Sequence, residues 1–156
     1  MSRIVIPIAG QILWRTGDVR LRADMDLLLK DSSGNLISES FPVDTGTEIT
    51  TFPAYRAKFL ALPMPANASP GVTHIQTGLE IRSGVLRFRV VGMDQTEHAA
   101  PCLFLGDPSV PPAPSGPATF PRKLLQPFAL LDHLRFAIDK DPAAGSLYGE
   151  LVVEKK

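Results

Sequence analysis

The chain has 156 residues, enough for one domain, and a domain of that size buries about two thirds of the surface its unfolded form exposes. Sixteen Lys and Arg balance sixteen Asp and Glu, so no global field draws the protein to nucleic acid or to an anionic membrane. The apolar runs fall well short of the roughly 20 residues a spanning helix needs, and the stretch from Met1 to Pro7 is too short and too early broken to serve as a secretory leader. We therefore expect a soluble, cytoplasmic protein.

In chain order, residues 3–8 form a short β-like run. Ile12 and Val19 flank a turn at Gly17-Asp18 and predict a further short strand pair. Residues 24–31 alternate Met25, Leu27 and Leu29 with Asp26, Leu28 and Lys30, and read as a strand. A turn at Ser32-Ser33-Gly34-Asn35 sends the chain back through residues 36–43, so the hairpin delivers Asp44 to a loop. Residues 48–52 predict a brief strand. Pro53 then stands where a helix accepts proline, at its first position, and residues 53–62 place Tyr55, Phe59, Leu60 and Leu62 on one side of a short amphipathic helix.

Residues 72–91 read as β ribbon with two glycine-containing turns, Gln76-Thr77-Gly78 and Arg82-Ser83-Gly84. Arg82, Arg87 and Arg89 alternate with apolar residues, as a strand with one wet face is written. Residues 99–105 are apolar enough for a central strand. Prolines crowd residues 106–121 too densely for any regular element, leaving a loop of polyproline character. A second short helix is expected after Pro127, a strand over 135–139, a turn at 141–145 and a last strand over 146–153. No repeat is visible. Cys102 is the only cysteine; it rules out an internal disulfide and reads as a small buried hydrophobe. His98 lies four positions before it, but Pro101 between them opposes a helix and no third ligand is near, so we expect no metal and no cofactor.

The most suspicious residue is Asp44. It follows an apolar extended segment and precedes Thr45-Gly46-Thr47, where Asp, Thr and Gly have good local reasons to cap a turn. What lifts it above a turn residue is the order of elements around it. A hairpin ends in Val43-Asp44-Thr45-Gly46-Thr47, a β ribbon follows, and some eighty positions on, Leu124-Leu125 opens a short helix and a strand. This arrangement resembles the single-lobed, retropepsin-like aspartic proteases, over roughly residues 25–139.

The resemblance implies a mainly β fold: a closed or partly open retropepsin-like barrel with two short helices, one domain over 1–156 with its core at about 22–153. It implies a homodimer in which Asp44 of each copy supplies half of a catalytic pair, hydrolysing peptide bonds of an extended peptide or protein substrate. By the same resemblance Thr45 braces the two active loops, Gly46 lets backbone approach the carboxylate, and the Thr47 hydroxyl reaches it. Leu124 and Leu125 pass behind the active loop. Ile75, Gln76, Thr77 and Gly78 match the tip of the flap that closes over substrate. One departure matters: where the family has glycine after the two apolar residues, this chain has Gln126. A non-catalytic dimerisation or peptide-binding module of the same fold is the alternative that Gln126 keeps open.

Overall fold

The computed structural model describes residues 2–12, 16–111, 123–140 and 147–156. Its largest sheet has five strands: β4 (Asp24–Lys30), β5 (Leu36–Pro42), β6 (Thr50–Pro53), β7 (Ile81–Val90) and β8 (His98–Leu105). They lie in the order β5-β4-β7-β8-β6. All neighbours run antiparallel except β6 and β8, which pair in parallel from Thr50 opposite Cys102 to Pro53 opposite Leu105. A second sheet has β10 (Glu150–Lys155) between β1 (Arg3–Pro7) and β9 (Leu134–Asp139). β2 (Ala9–Ile12) and β3 (Val19–Arg22) form a separate two-stranded ribbon.

The alternation seen in the sequence explains which faces are buried. Met25, Leu27 and Leu29 on β4 point to one side with Phe41 on β5 and Leu86, Phe88 and Val90 on β7, as a period of two requires. Phe41, Phe52 and Phe104 pack ring to ring at centroid distances of 5.6 and 6.4 Å. Leu134, Leu151 and Val153 of the second sheet join the same cluster, so one core serves both sheets.

Strands dominate, as expected, but several finer expectations fail. Of the closed or partly open barrel expected, the closed form is not found: among the described residues the edge strands of the five-stranded sheet are joined by isolated bridges through Leu124 and Leu125. Among the described residues there is one α-helix, α1 (Ala54–Phe59). Pro53 is its N-cap and still pairs as the last residue of β6, and Ala61, with φ at 54°, turns the chain away after the C-cap Leu60. The buried face of α1 is Ala54 and Ala57 rather than the larger apolar residues, because small side chains let the helix lie close to the core. Phe59 stays outside beneath the Arg56 guanidinium, 5.3 Å from the ring centroid.

The second expected helix is a single 3-10 turn, Pro127–Leu130, with no room to grow before β9 begins at Leu134. Arg82-Ser83-Gly84 is not a turn but lies inside β7. Gly84 is there for space: a Cβ would stand 2.9 Å from the Phe104 ring and 3.2 Å from Pro65. The charged tail also departs from expectation, since Glu154 and Lys155 continue β10. The turn expected at 141–145, the first residue of the strand expected over 146–153, and residues 112–121 of the proline-rich stretch lie outside the described residues; residues 106–111 are bends and turns, and the last strand begins at Glu150.

Candidate active site

Asp44 stands where the β4–β5 hairpin ends, in a partly exposed position with exposed Thr45 and Gly46 after it. Its backbone is fixed from two sides. Val43 N donates to Ala23 O at 2.9 Å, and Asp44 N donates to Leu125 O at 3.0 Å. The segment Leu124-Leu125 thereby runs between the two edge strands of the large sheet. Leu125 N bonds Pro42 O at 2.9 Å on the β5 side, while Leu124 exchanges both backbone hydrogen bonds with Thr51 of β6, at 2.9 and 3.1 Å. Residues eighty positions apart in the sequence are thus brought together by main-chain bonds, and Leu125 is fully buried beneath them.

Within the loop, Asp44 Oδ1 accepts from Gly46 N at 2.8 Å. That bond is an Asx turn, which any turn-capping aspartate can make. A Cβ on Gly46 would sit 3.2 Å from the same oxygen, so this glycine is where backbone and carboxylate come close. The Thr47 hydroxyl donates to Ile49 O at 2.9 Å instead of to the carboxylate, so in the single chain it shapes the loop rather than the acid.

Gln126 is accommodated by being used. It is buried, and its backbone N donates to the Thr50 hydroxyl at 3.0 Å. Its side-chain Nε2 donates to the Thr47 carbonyl, and its Oε1 accepts from Phe128 N at 2.7 Å, capping the 3-10 turn. A glycine would make none of the side-chain bonds. The polar ends of the glutamine therefore replace, with directed bonds, the close backbone passage that a glycine permits.

A second polar group behind the loop is not evident from the motif. Glu39 is buried on β5, with Arg56 Nη2 at 2.5 Å from one carboxylate oxygen and Lys123 Nζ at 2.7 Å from the other. Burial alone pushes the Glu39 carboxyl up, but hydrogen bonds and charge from Lys123 and Arg56 outweigh it and hold the group below the usual carboxylate range. Lys123 directly precedes Leu124, so this cluster anchors the segment that supports Asp44 to β5 and α1. The signal was present in the alternation: Glu39 shares a strand face with Phe41, and an acid on an apolar face asks for a partner.

Ile75, Gln76, Thr77 and Gly78 form a turn of their own, closed by Gly78 N to His74 O at 2.7 Å and based on the bridge between Thr73 and Glu80. The His74 ring meets the Thr77 hydroxyl at 2.9 Å, and Ile75 is 98% exposed. The turn is the tip of a short hairpin that runs directly into β7. Its base is tied to the end of β8 by Gly106 N, which donates to Glu80 O at 2.9 Å. Cys102 is buried and its thiol is pushed up by that burial, which suits a packing residue. Among the described residues no group of three His, Cys, Asp or Glu side chains is placed to hold a metal ion, and no helix is long and apolar enough to cross a membrane. No family model, no curated protein and no solved structure matches the chain.

Proposed function

We propose that the protein is a retropepsin-like aspartic endopeptidase, active as a homodimer with one Asp44 from each copy. The observation that carries this reading is the main-chain clamp on the Asp44 loop, in which Leu125 accepts from Asp44 N and donates to Pro42 while Leu124 pairs with Thr51. The two motifs that the resemblance rests on meet in space, and their meeting holds one carboxylate at a partly exposed loop.

The chemistry follows from placing two such carboxylates together. Within a few ångströms of each other they do not both ionise readily, so the pair shares one proton. The ionised member takes a proton from water as it attacks the peptide carbonyl, and the protonated member gives its proton to the carbonyl oxygen; the pair titrates as one unit. No cofactor enters the scheme. The hairpin with Ile75 at its tip is the element that would close over an extended substrate, and Thr45 the residue that would brace one loop against its mate.

A second reading, a non-catalytic module for dimerisation or peptide binding, is favoured by the side chain of Gln126 filling the space behind the loop. One experiment separates the two. The expected result is that the wild-type protein cleaves an unbiased peptide library at mildly acidic pH and that Asp44→Asn removes cleavage while leaving the fold and dimer intact. Cleavage that survives Asp44→Asn refutes the assigned role, and a dimeric wild type that binds peptides without cutting them establishes the second reading.

A further inference from the structure

The ribbon of β2 and β3 is written with two different faces. Ile12 lies opposite Val19 and Gly10 opposite Leu21, and with the two-residue period of a strand these four share one side. Ala9, Gln11, Arg20 and Arg22 take the other. The apolar side is uncovered: Ile12 is 61%, Val19 49% and Leu21 55% exposed. At its Gly10 end the ring of Tyr148 occupies the space a Cβ would need. Among the described residues the two strands pair with each other alone, and an isolated two-stranded hairpin is marginal in water. Such a ribbon needs cover.

Its position says what the cover is. β3 ends at Arg22, and the next residue, Ala23, accepts the backbone bond from Val43 immediately before Asp44. The foot of the ribbon therefore stands beside the Asp44 loop. From that foot, the three residues back to Val19 extend about 10 Å. We infer that the β2–β3 ribbon is a dimerisation arm whose apolar face, Ile12, Val19 and Leu21, docks on a second copy of this chain. The inference rests on the aspartic dyad proposed above: a carboxylate brought within about 3 Å of Asp44 brings its own loop, and the ribbon rooted beside it, to the same place. In a two-fold dimer each ribbon meets the partner in the same way.

Sedimentation velocity over a wide concentration range tests the arm. The double variant Ile12→Asp, Leu21→Asp is compared with wild type and with Leu36→Asp, a control at an apolar residue 40% exposed at the turn end of β5. The expected result is a dimer dissociation constant raised at least tenfold in the double variant and unchanged in the control, with native circular dichroism in both. Val19→Asp repeats the test with a single change. Arm variants that dimerise as tightly as wild type overturn the arm and leave the protease reading standing; so does an equal loss in the control. A wild type that stays monomeric at every concentration overturns the dyad, and the arm with it.

Discussion

The Gln126 side chain ties together the two turns on either side of the Leu124-Leu125 segment: its Nε2 donates to the Thr47 carbonyl and its Oε1 accepts from Phe128 N. Both bonds are at least partly buried, so what replaces this residue decides whether the Asp44 loop keeps its shape.

Gln126→Glu tests that relationship most sharply. A carboxylate cannot donate to the Thr47 carbonyl, and it places charge in a buried site, for an expected loss of about 2–3 kcal/mol. Gln126→Ala removes the bonds without adding charge and should cost about 1–2 kcal/mol. Urea denaturation reads the stabilities, and the peptide cleavage proposed above should fall with both. Equal stability of Gln126→Glu and wild type would mean that the glutamine amide holds nothing.

The Glu39 cluster has a separate consequence. Glu39→Ala leaves Lys123 and Arg56 without their shared anion, but both cations are partly exposed, at 31% and 45% of the side chain, and can turn to water. The expected loss is therefore about 1–2 kcal/mol, below that for breaking a fully buried pair. The folded-state carboxyl is held below its ordinary value, so its contribution is present above about pH 4.5 and disappears as pH falls through the folded value. Wild type and Glu39→Ala should converge in stability at low pH, which thermal unfolding from pH 7 to pH 3 measures.

Gly84 shows how a residue type can mislead. In the sequence, Arg82-Ser83-Gly84 has the composition of a turn, yet the glycine sits within β7 because Phe104 and Pro65 press on it. Gly84→Ala should destabilise by about 1–3 kcal/mol through overpacking. Chemical denaturation of this variant checks it, and Phe104→Leu in the same background should recover part of the loss by giving the methyl group room.

Much of the architecture was legible because it follows from period and punctuation. The β4–β5 hairpin carries a two-residue alternation and a clear turn, and it ends at Asp44 as read. The central place of β8 follows from its apolar run. What was not legible depends on long-range contacts. Tyr55, Phe59, Leu60 and Leu62 promised an apolar helix face; Leu62 does enter the core and Leu60 packs against it, but both lie past the end of α1, whose own buried residues are Ala54 and Ala57, with Phe59 left exposed. That Glu39 needs a partner can be read from β5, but that the partner is Lys123, eighty-four residues on, is announced by no local pattern. Gln126 was legible as a departure, not as a brace, because its partners Thr47 and Thr50 reach it only through the fold.

His98 sets a limit on the acidic side. Its ring is buried between Phe88 and His133, at centroid distances of 5.9 and 6.1 Å, and its Nδ1 has no hydrogen-bond partner among the described residues. Burial first and the nearby His133 second push its pKa down; Asp94 pulls the other way, and Lys155 adds a smaller downward push. The unfolded chain thus takes up a proton near pH 6.5 that the folded chain resists. Stability is complete above that value and is lost as pH falls from it toward the folded value. An aspartic pair that works at mild acidity would operate on this same slope, so activity should decline on prolonged incubation sooner than the dyad's own titration requires. His98→Phe keeps a ring against Phe88 and removes the titration, so its melting temperature should fall less than that of wild type between pH 7 and pH 5. Parallel pH profiles for the two proteins would assign the acid lability to another group.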